Sequence, residues 1–394
     1  MRRMRHLCYL IFGLLLLPSS VFSQSSFDAR FKAKEVVYLM RNGKYETMML
    51  RMDTDMKRMM DEDKLMGMWD MLEMGYGKVV SVAEPELSYK GKLAVTVTVI
   101  SFEKKKIGIK VIFNQKGEIA GFFLVSPTPQ YTQPDYVNPA SFYEYRKTLS
   151  DPKYPVNGLL TLPKRKLSGM PAVIILGGPG KADKDFTTGP NKPYKDIAWG
   201  LAENDVVVFR YDKRSAAYEG NALVQNNTSL KETYLNDLLK ALVLVRKMEE
   251  VDTNRIFILA HGESAYLLPY IANQLSHVAG YIALEAPFEK PLNSSNPLLL
   301  ELQKQAPEEN LNNLRSKKVL FVQGAKDIQT PPNQLALWKQ AGEKEAAYDW
   351  SYVLYPATNY LLMEINGAPA VGDYEKAGNV APEIIVRLAS FILN

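Results

Sequence analysis

Residues 256–260, Ile-Phe-Ile-Leu-Ala, are apolar without a break. A run this short and this apolar suits a strand buried on both faces of a parallel sheet. A polar turn, His261-Gly-Glu-Ser264, follows, and Ala265–Leu275 then has helical spacing. Strand, tight turn and helix force the chain across a sheet and back along its face. Similar apolar runs lie on either side. Ala172–Leu176 and Val206–Phe209 come before; Gly280–Leu284, Val319–Val322 and Tyr352–Leu354 come after. Leu230–Met248 reads as one long helix and Pro382–Leu393 as a closing amphipathic helix. This alternation predicts an α/β unit with a mostly parallel, doubly wound sheet from about 136 to 394. Tyr136–Pro163 reads as its opening strands, with Asn157-Gly158 as a turn.

Residues 24–125 read differently. Phe27–Leu39, Tyr45–Met59 and Asp61–Met74 have helical periodicity, and methionines crowd positions 48–74. The methionines are expected to be flexible core filler rather than a copper site or a partner surface. Lys78–Tyr89, Leu93–Ile100, Ile107–Phe113 and Ile119–Val125 read as strands of a meander, with Asn114–Gly117 as a turn. Helices first and an antiparallel sheet after predict an α+β unit. Residues 126–135, with Pro127, Pro129 and Pro134, read as a linker.

Residues 1–23 read as a secretory signal peptide. Arg2, Arg3 and Arg5 make a basic start, and Leu7–Leu17 is apolar but short for a bilayer. The expectation is export, bacterial, to a periplasm or the exterior, with no membrane span after cleavage. The single cysteine, Cys8, falls in that segment. Disulfides and thiolate sites are therefore not expected in the mature chain. The formal charge of +5 falls to about +2 once the three leader arginines go. Lys104-Lys-Lys106 is the densest basic run and sits at a hairpin turn, so no nucleic-acid partner is expected.

Longer motifs carry a resemblance. Gly189–Leu201, Arg210-Tyr-Asp-Lys-Arg214 and the stretch 255–266 resemble secreted bacterial α/β-hydrolases. Gly117–Leu124 resembles the small cystatin-like or NTF2-like domain of unknown function that precedes some of them. The resemblance implies an α/β-hydrolase fold and acyl-ester hydrolysis by a Ser-His-Asp triad. It also places each functional position. The nucleophile's place, in a motif that runs Gly-His-Ser-x-Gly-Gly, falls on Gly262; Ser264 stands two residues late. The acid's place falls on Asp327. The base's place, in Tyr355-Pro-Ala-Thr-Asn-Tyr360, falls on Tyr360. The strand-end loop that would donate to an oxyanion is Gly177-Gly178-Pro179-Gly180, and Pro179 has no N–H.

Each loss is severe. Gly262 has no side chain to carry an acyl group. The chain has three histidines, His6, His261 and His277, and none follows Asp327. His261 and His277 are expected to be structural. Removing the serine or histidine of a triad costs ~10⁶ in rate, and removing one oxyanion donor ~10²–10³. The segment between Phe288 and Lys318, with one helix near Leu298–Gln305, is shorter than the helical cap of the family, which implies an open or filled pocket. Asp183 and Asp185 are read as loop structure rather than a metal site, and no cofactor is expected. Two functions follow. One is an exported hydrolase-like protein without catalysis that binds a small molecule, peptide or protein. The other is an ester hydrolase with a rearranged site using Ser264, with Glu263 or Tyr266 as a conceivable partner.

Overall fold

Strands buried on both faces, such as Met170–Leu176 and Gly280–Leu284, build the larger unit. In the computed structural model, the described residues are 27–126, 131–165, 168–178, 180–225, 229–275, 277–290, 297–344 and 349–394. The leader expected at 1–23, Cys8 and Pro179 lie outside them. The chain divides into two compact units, Met1–Pro127 and Thr128–Asn394.

The first unit opens with four helices: α1 (Ala29–Arg41), α2 (Tyr45–Leu50), α3 (Thr54–Met59) and α4 (Glu62–Tyr76). Asp28, Asp53 and Asp61 accept from N–H groups in the first turns of α1, α3 and α4, which satisfies donors that a helix start leaves bare. The single helix expected over Tyr45–Met59 is broken. Asp53 N donates to Ile119 O, and Met52 is buried beneath the break. Five antiparallel strands follow: β1 (Val79–Val82), β2 (Glu86–Lys90), β3 (Leu93–Phe102), β4 (Lys106–Phe113) and β5 (Ile119–Val125). Ala94, Thr96, Thr98, Ile100 and Phe102 alternate inward along β3, against Val36, Met40, Leu65 and Trp69. The methionines divide. Met48, Met52 and Met56 fill this core, whereas Met59, Met66, Met71 and Met74 are exposed, so the filler reading holds for only part of the run.

The second unit holds β6 (Phe142–Leu149), β7 (Val156–Pro163), β8 (Met170–Leu176), α5 (Pro193–Ala202), β9 (Val207–Tyr211), α6 (Arg214–Ala217), α7 (Ala222–Gln225) and α8 (Asn236–Arg246). Then come β10 (Val251–His261), α9 (Glu263–Tyr266), α10 (Leu268–Gln274), β11 (Gly280–Leu284), α11 (Pro297–Gln303), α12 (Pro307–Asn310), β12 (Lys318–Gly324), α13 (Asn333–Glu343), β13 (Asp349–Tyr355) and α14 (Pro382–Leu393). The sheet order is β13-β12-β11-β10-β8-β9-β7-β6. The six strands from β13 to β9 run parallel, and β7 and β6 add antiparallel. Ile256, Ile258 and Ala260 face one core layer, while Phe257 and Leu259 face the other. The chain leaves β8 for β9 on one side and returns to β10 on the other. In open sheets of this type ligands bind beside the carboxyl ends at such a switch. Among the described residues no helix is long and apolar enough to cross a membrane.

Several local expectations are corrected. Asn157-Gly158 lies inside β7, not at a turn. A Cβ on Gly158 would sit 2.6 Å from the Phe209 ring, so glycine here serves close packing. The turn is instead built on Asp151, which accepts from Lys153 N and Tyr154 N. The expected helix 230–248 opens with a π-helical turn, Lys231–Leu235. The helix expected over 265–275 is interrupted at Leu267, before Pro269 near the start of α10. The cap is three short pieces: α11, α12 and a 3₁₀ turn, Leu311–Leu314. Part of the expected linker belongs to the larger unit, because Tyr131 Oη donates to Asp196 at 2.7 Å.

Candidate functional site

The end of β10 carries a tight turn near the switch. Gly262 sits at φ 57°, ψ −117°, a conformation that glycine adopts freely and other residues only under strain. This is the geometry of an elbow residue standing between strand and helix, and it falls on Gly262. Ser264 lies one turn on, in α9, and is fully buried. Its Oγ accepts from His261 N at 2.9 Å and lies 3.1 Å from His261 O and 3.4 Å from Leu176 O. Its one proton is committed to these carbonyls. The serine therefore stitches the elbow to β8 through these contacts.

Gly262 and Tyr360 line one cavity of about 300 Å³, with Tyr266, Leu299, Leu302 and Thr330. The two positions that the resemblance assigns to nucleophile and base thus share one cavity, and the second holds a phenol. Burial, reinforced by the neighbouring Tyr194, Asp327, Glu285 and Glu263, holds the Tyr360 hydroxyl well above its ordinary pKa. It stays protonated and cannot act as a base near neutrality. Its ring stacks on His261, with centroids 4.5 Å apart. His261 Nε2 lies 3.0 Å from Tyr360 O, and Nδ1 lies 3.3 Å from Tyr194 Oη. Nε2–H donating to the carbonyl and Nδ1 accepting from the phenol satisfies both contacts. Burial pushes the imidazole down to about 3, so His261 is a neutral structural link. His277 is exposed at a positive-φ position, φ 57°, and its carbonyl accepts from Arg246.

Asp327, where the resemblance places the acid, has a partner that the sequence reading missed. Asp327 Oδ1 accepts from Gln329 N at 2.7 Å, while Oδ2 is buried with no N–H donor. Glu285, fully buried at the end of β11, accepts from Gly324 N at 2.8 Å through Oε1, and its Oε2 is likewise without a donor. A proton resolves both orphans: protonated Glu285 donates to Asp327. Burial, then the charge of Asp327, raises Glu285 well above the ordinary carboxyl range. Burial also raises Asp327, against the lowering effect of the Glu285 hydrogen bond. Two carboxyls this close hold one proton between them. A lone acid directly after the apolar run Gly280–Leu284 was the available signal, since a charge there must find a partner or be neutralised.

On the oxyanion side, a Cβ at Gly178 would sit 2.6 Å from Tyr194 Oη, so only glycine fits. Asp183 and Asp185 are loop structure. Asp183 accepts from Thr187 N and Oγ1. Asp185 pairs with buried Arg210, whose other nitrogens reach Thr161 and Glu144. Among the described residues no group of three or more His, Cys, Asp or Glu is placed to hold a metal.

Comparison with known proteins agrees with this architecture. Residues 33–122 match the model of a family described as "Protein of unknown function (DUF3887)". The chain is similar to "Esterase EstD" of Thermotoga maritima, 24% identical over 391 residues that cover 89% of this chain and 92% of the esterase. Among solved structures it is similar to a puromycin-hydrolyzing peptidase of Mycobacterium tuberculosis, with TM-score 0.50, 12% identity and 80% of this chain covered. It is similar also to a candidate dipeptidyl aminopeptidase IV of Bacteroides ovatus, with TM-score 0.50, 14% identity and 79% covered. The chain spans 47% and 43% of the length of these two peptidases. The larger unit has the α/β-hydrolase fold, and it follows a small antiparallel-sheet unit that matches a family of unknown function.

Proposed function

We propose that this is an exported hydrolase-fold protein that has lost serine ester hydrolysis and uses the fold to bind a ligand. One observation carries the reading: the residue in the elbow conformation is a glycine. Tyr360 in the base position and Asp327 engaged by Glu285 support it. The cavity left above Gly262 is small but within the size of ligand sites, roughly 300–1,000 Å³. The leader-like residues 1–23 support export. Similarity to an esterase makes ester cleavage the activity to test. Purified protein is expected to turn over p-nitrophenyl esters no faster than buffer, whereas turnover that a serine-directed fluorophosphonate abolishes would overturn the reading. The rival, ester hydrolysis through Ser264, is disfavoured by the burial of that hydroxyl. It requires Ser264→Ala to abolish a measurable turnover.

A further inference from the structure

Beside the elbow, three side chains that ester hydrolysis would not use are joined in a line. Lys213, just after β9, donates from Nζ to Gly178 O at 2.9 Å and to Tyr234 Oη at 3.2 Å. Its Nζ lies 4.3 Å from the centroid of the Tyr234 ring. The Tyr234 hydroxyl donates in turn to Glu263 Oε1. Lys213 is only 5% exposed, and among the described residues it makes no ion pair, so one of its three N–H donors has no protein acceptor. Burial pushes its pKa down to about 8, against the opposing pull of Glu263. Burial raises the Glu263 carboxyl, and Lys213 opposes that rise. Lys213 and Glu263 face a cavity of about 330 Å³ with Thr233, Val224, Leu298 and Leu299. Glu263 and Leu299 also wall the cavity above Gly262.

We propose that Lys213 is a nucleophilic amine that captures small aliphatic aldehydes or ketones as an imine in this cavity, with Tyr234 and Glu263 moving the protons. The ammonium first gives a proton to Tyr234 Oη as that hydroxyl passes its own to the Glu263 carboxylate. The freed Nζ pair attacks the carbonyl carbon: a C–N bond forms and the C=O π bond breaks. A proton moves from nitrogen to the new alkoxide, giving a carbinolamine. Glu263 returns its proton through Tyr234 to the departing hydroxyl, which leaves as water as the C=N bond forms. One ammonium and one carbonyl compound give one protonated imine and one water, and Glu263 ends as it began. The apolar side chains of Val224, Leu298 and Leu299 suit the alkyl part of such a ligand. A desolvated lysine beside an acid–base group is the arrangement that imine chemistry needs.

This inference goes beyond the loss of ester hydrolysis and does not depend on it, because serine-directed probes read one and lysine trapping reads the other. The test is incubation of the full chain with propanal and cyanoborohydride near pH 7.5, then peptide mapping for the propyl adduct. Free amine at that pH is far commoner for a lysine titrating near 8 than near 10.4, so Lys213 should label roughly tenfold or more faster than exposed lysines. Tyr234→Phe and Glu263→Gln should each slow that labelling about tenfold while leaving the surface lysines unchanged. If exposed lysines are modified and Lys213 is not, Lys213 merely pins the Gly178 loop and the proposal is wrong. If Lys213 labels equally fast in both variants, the proton-moving roles are wrong.

Discussion

At the scale of single residues, the candidate site offers positions whose consequences can be measured apart. Gly262→Ser puts a side chain at φ 57°, ψ −117°, and should cost about 1–3 kcal/mol of stability through backbone strain, read as a lower urea midpoint. It should not create esterase activity, because the hydroxyl meets a protonated phenol instead of an imidazole. The Glu285–Asp327 pair gives a prediction in pH. Its folded-state pKa is raised, so between the unfolded carboxyl range and that raised value the native state holds a proton that the unfolded state has released. Stability from this pair is therefore fully present below about pH 4.3 and is lost as pH rises toward the folded pKa. Glu285→Gln keeps a donor for Asp327 and removes the titration. The variant should lose less stability than the native protein between pH 5 and pH 8. Parallel curves for the two would contradict a shared proton.

At the scale of elements, the sequence was legible where one periodicity ruled and opaque where tertiary contacts overrode it. The unbroken apolar runs of β8, β10, β11 and β12 and the stripe of α14 declared themselves, because both faces of the central strands are buried. Asn157-Gly158 misled, because its glycine answers to Phe209 across the sheet, a contact no local pattern carries. The break between α2 and α3 likewise depends on Ile119, far along the chain. Of the site, Gly262, Tyr360 and Asp327 could be placed by motif. Glu285, Lys213 and Tyr234 could not, since their meaning lies in each other's neighbourhood. Gly158→Ala tests the packing account. Its methyl group would press on Phe209 and Arg210 O, at 2.6 and 2.9 Å. It should cost about 1–3 kcal/mol, as overpacking does, measured by thermal or urea unfolding. A neutral result would mean that β7 can move away from β9 freely.

At the scale of the molecule, the chain joins a small antiparallel-sheet unit to a unit with the α/β-hydrolase fold. Tyr131 and Thr132 fall within the stretch that reads as a linker, yet they are bound to the larger unit, through Asp196 and Asn379. A truncated chain starting at 131 should therefore be more stable than one starting at 136, by about 1 kcal/mol or more for the lost hydrogen bonds; equal melting curves would show that this segment contributes nothing. The central claim is that the elbow no longer holds a nucleophile. Its most direct measurement is labelling of the purified native protein with a serine-directed fluorophosphonate, beside an active esterase as control and followed by peptide mapping. The account predicts a labelled control and an unlabelled native protein. An adduct mapped to Ser264, absent in Ser264→Ala, would contradict it.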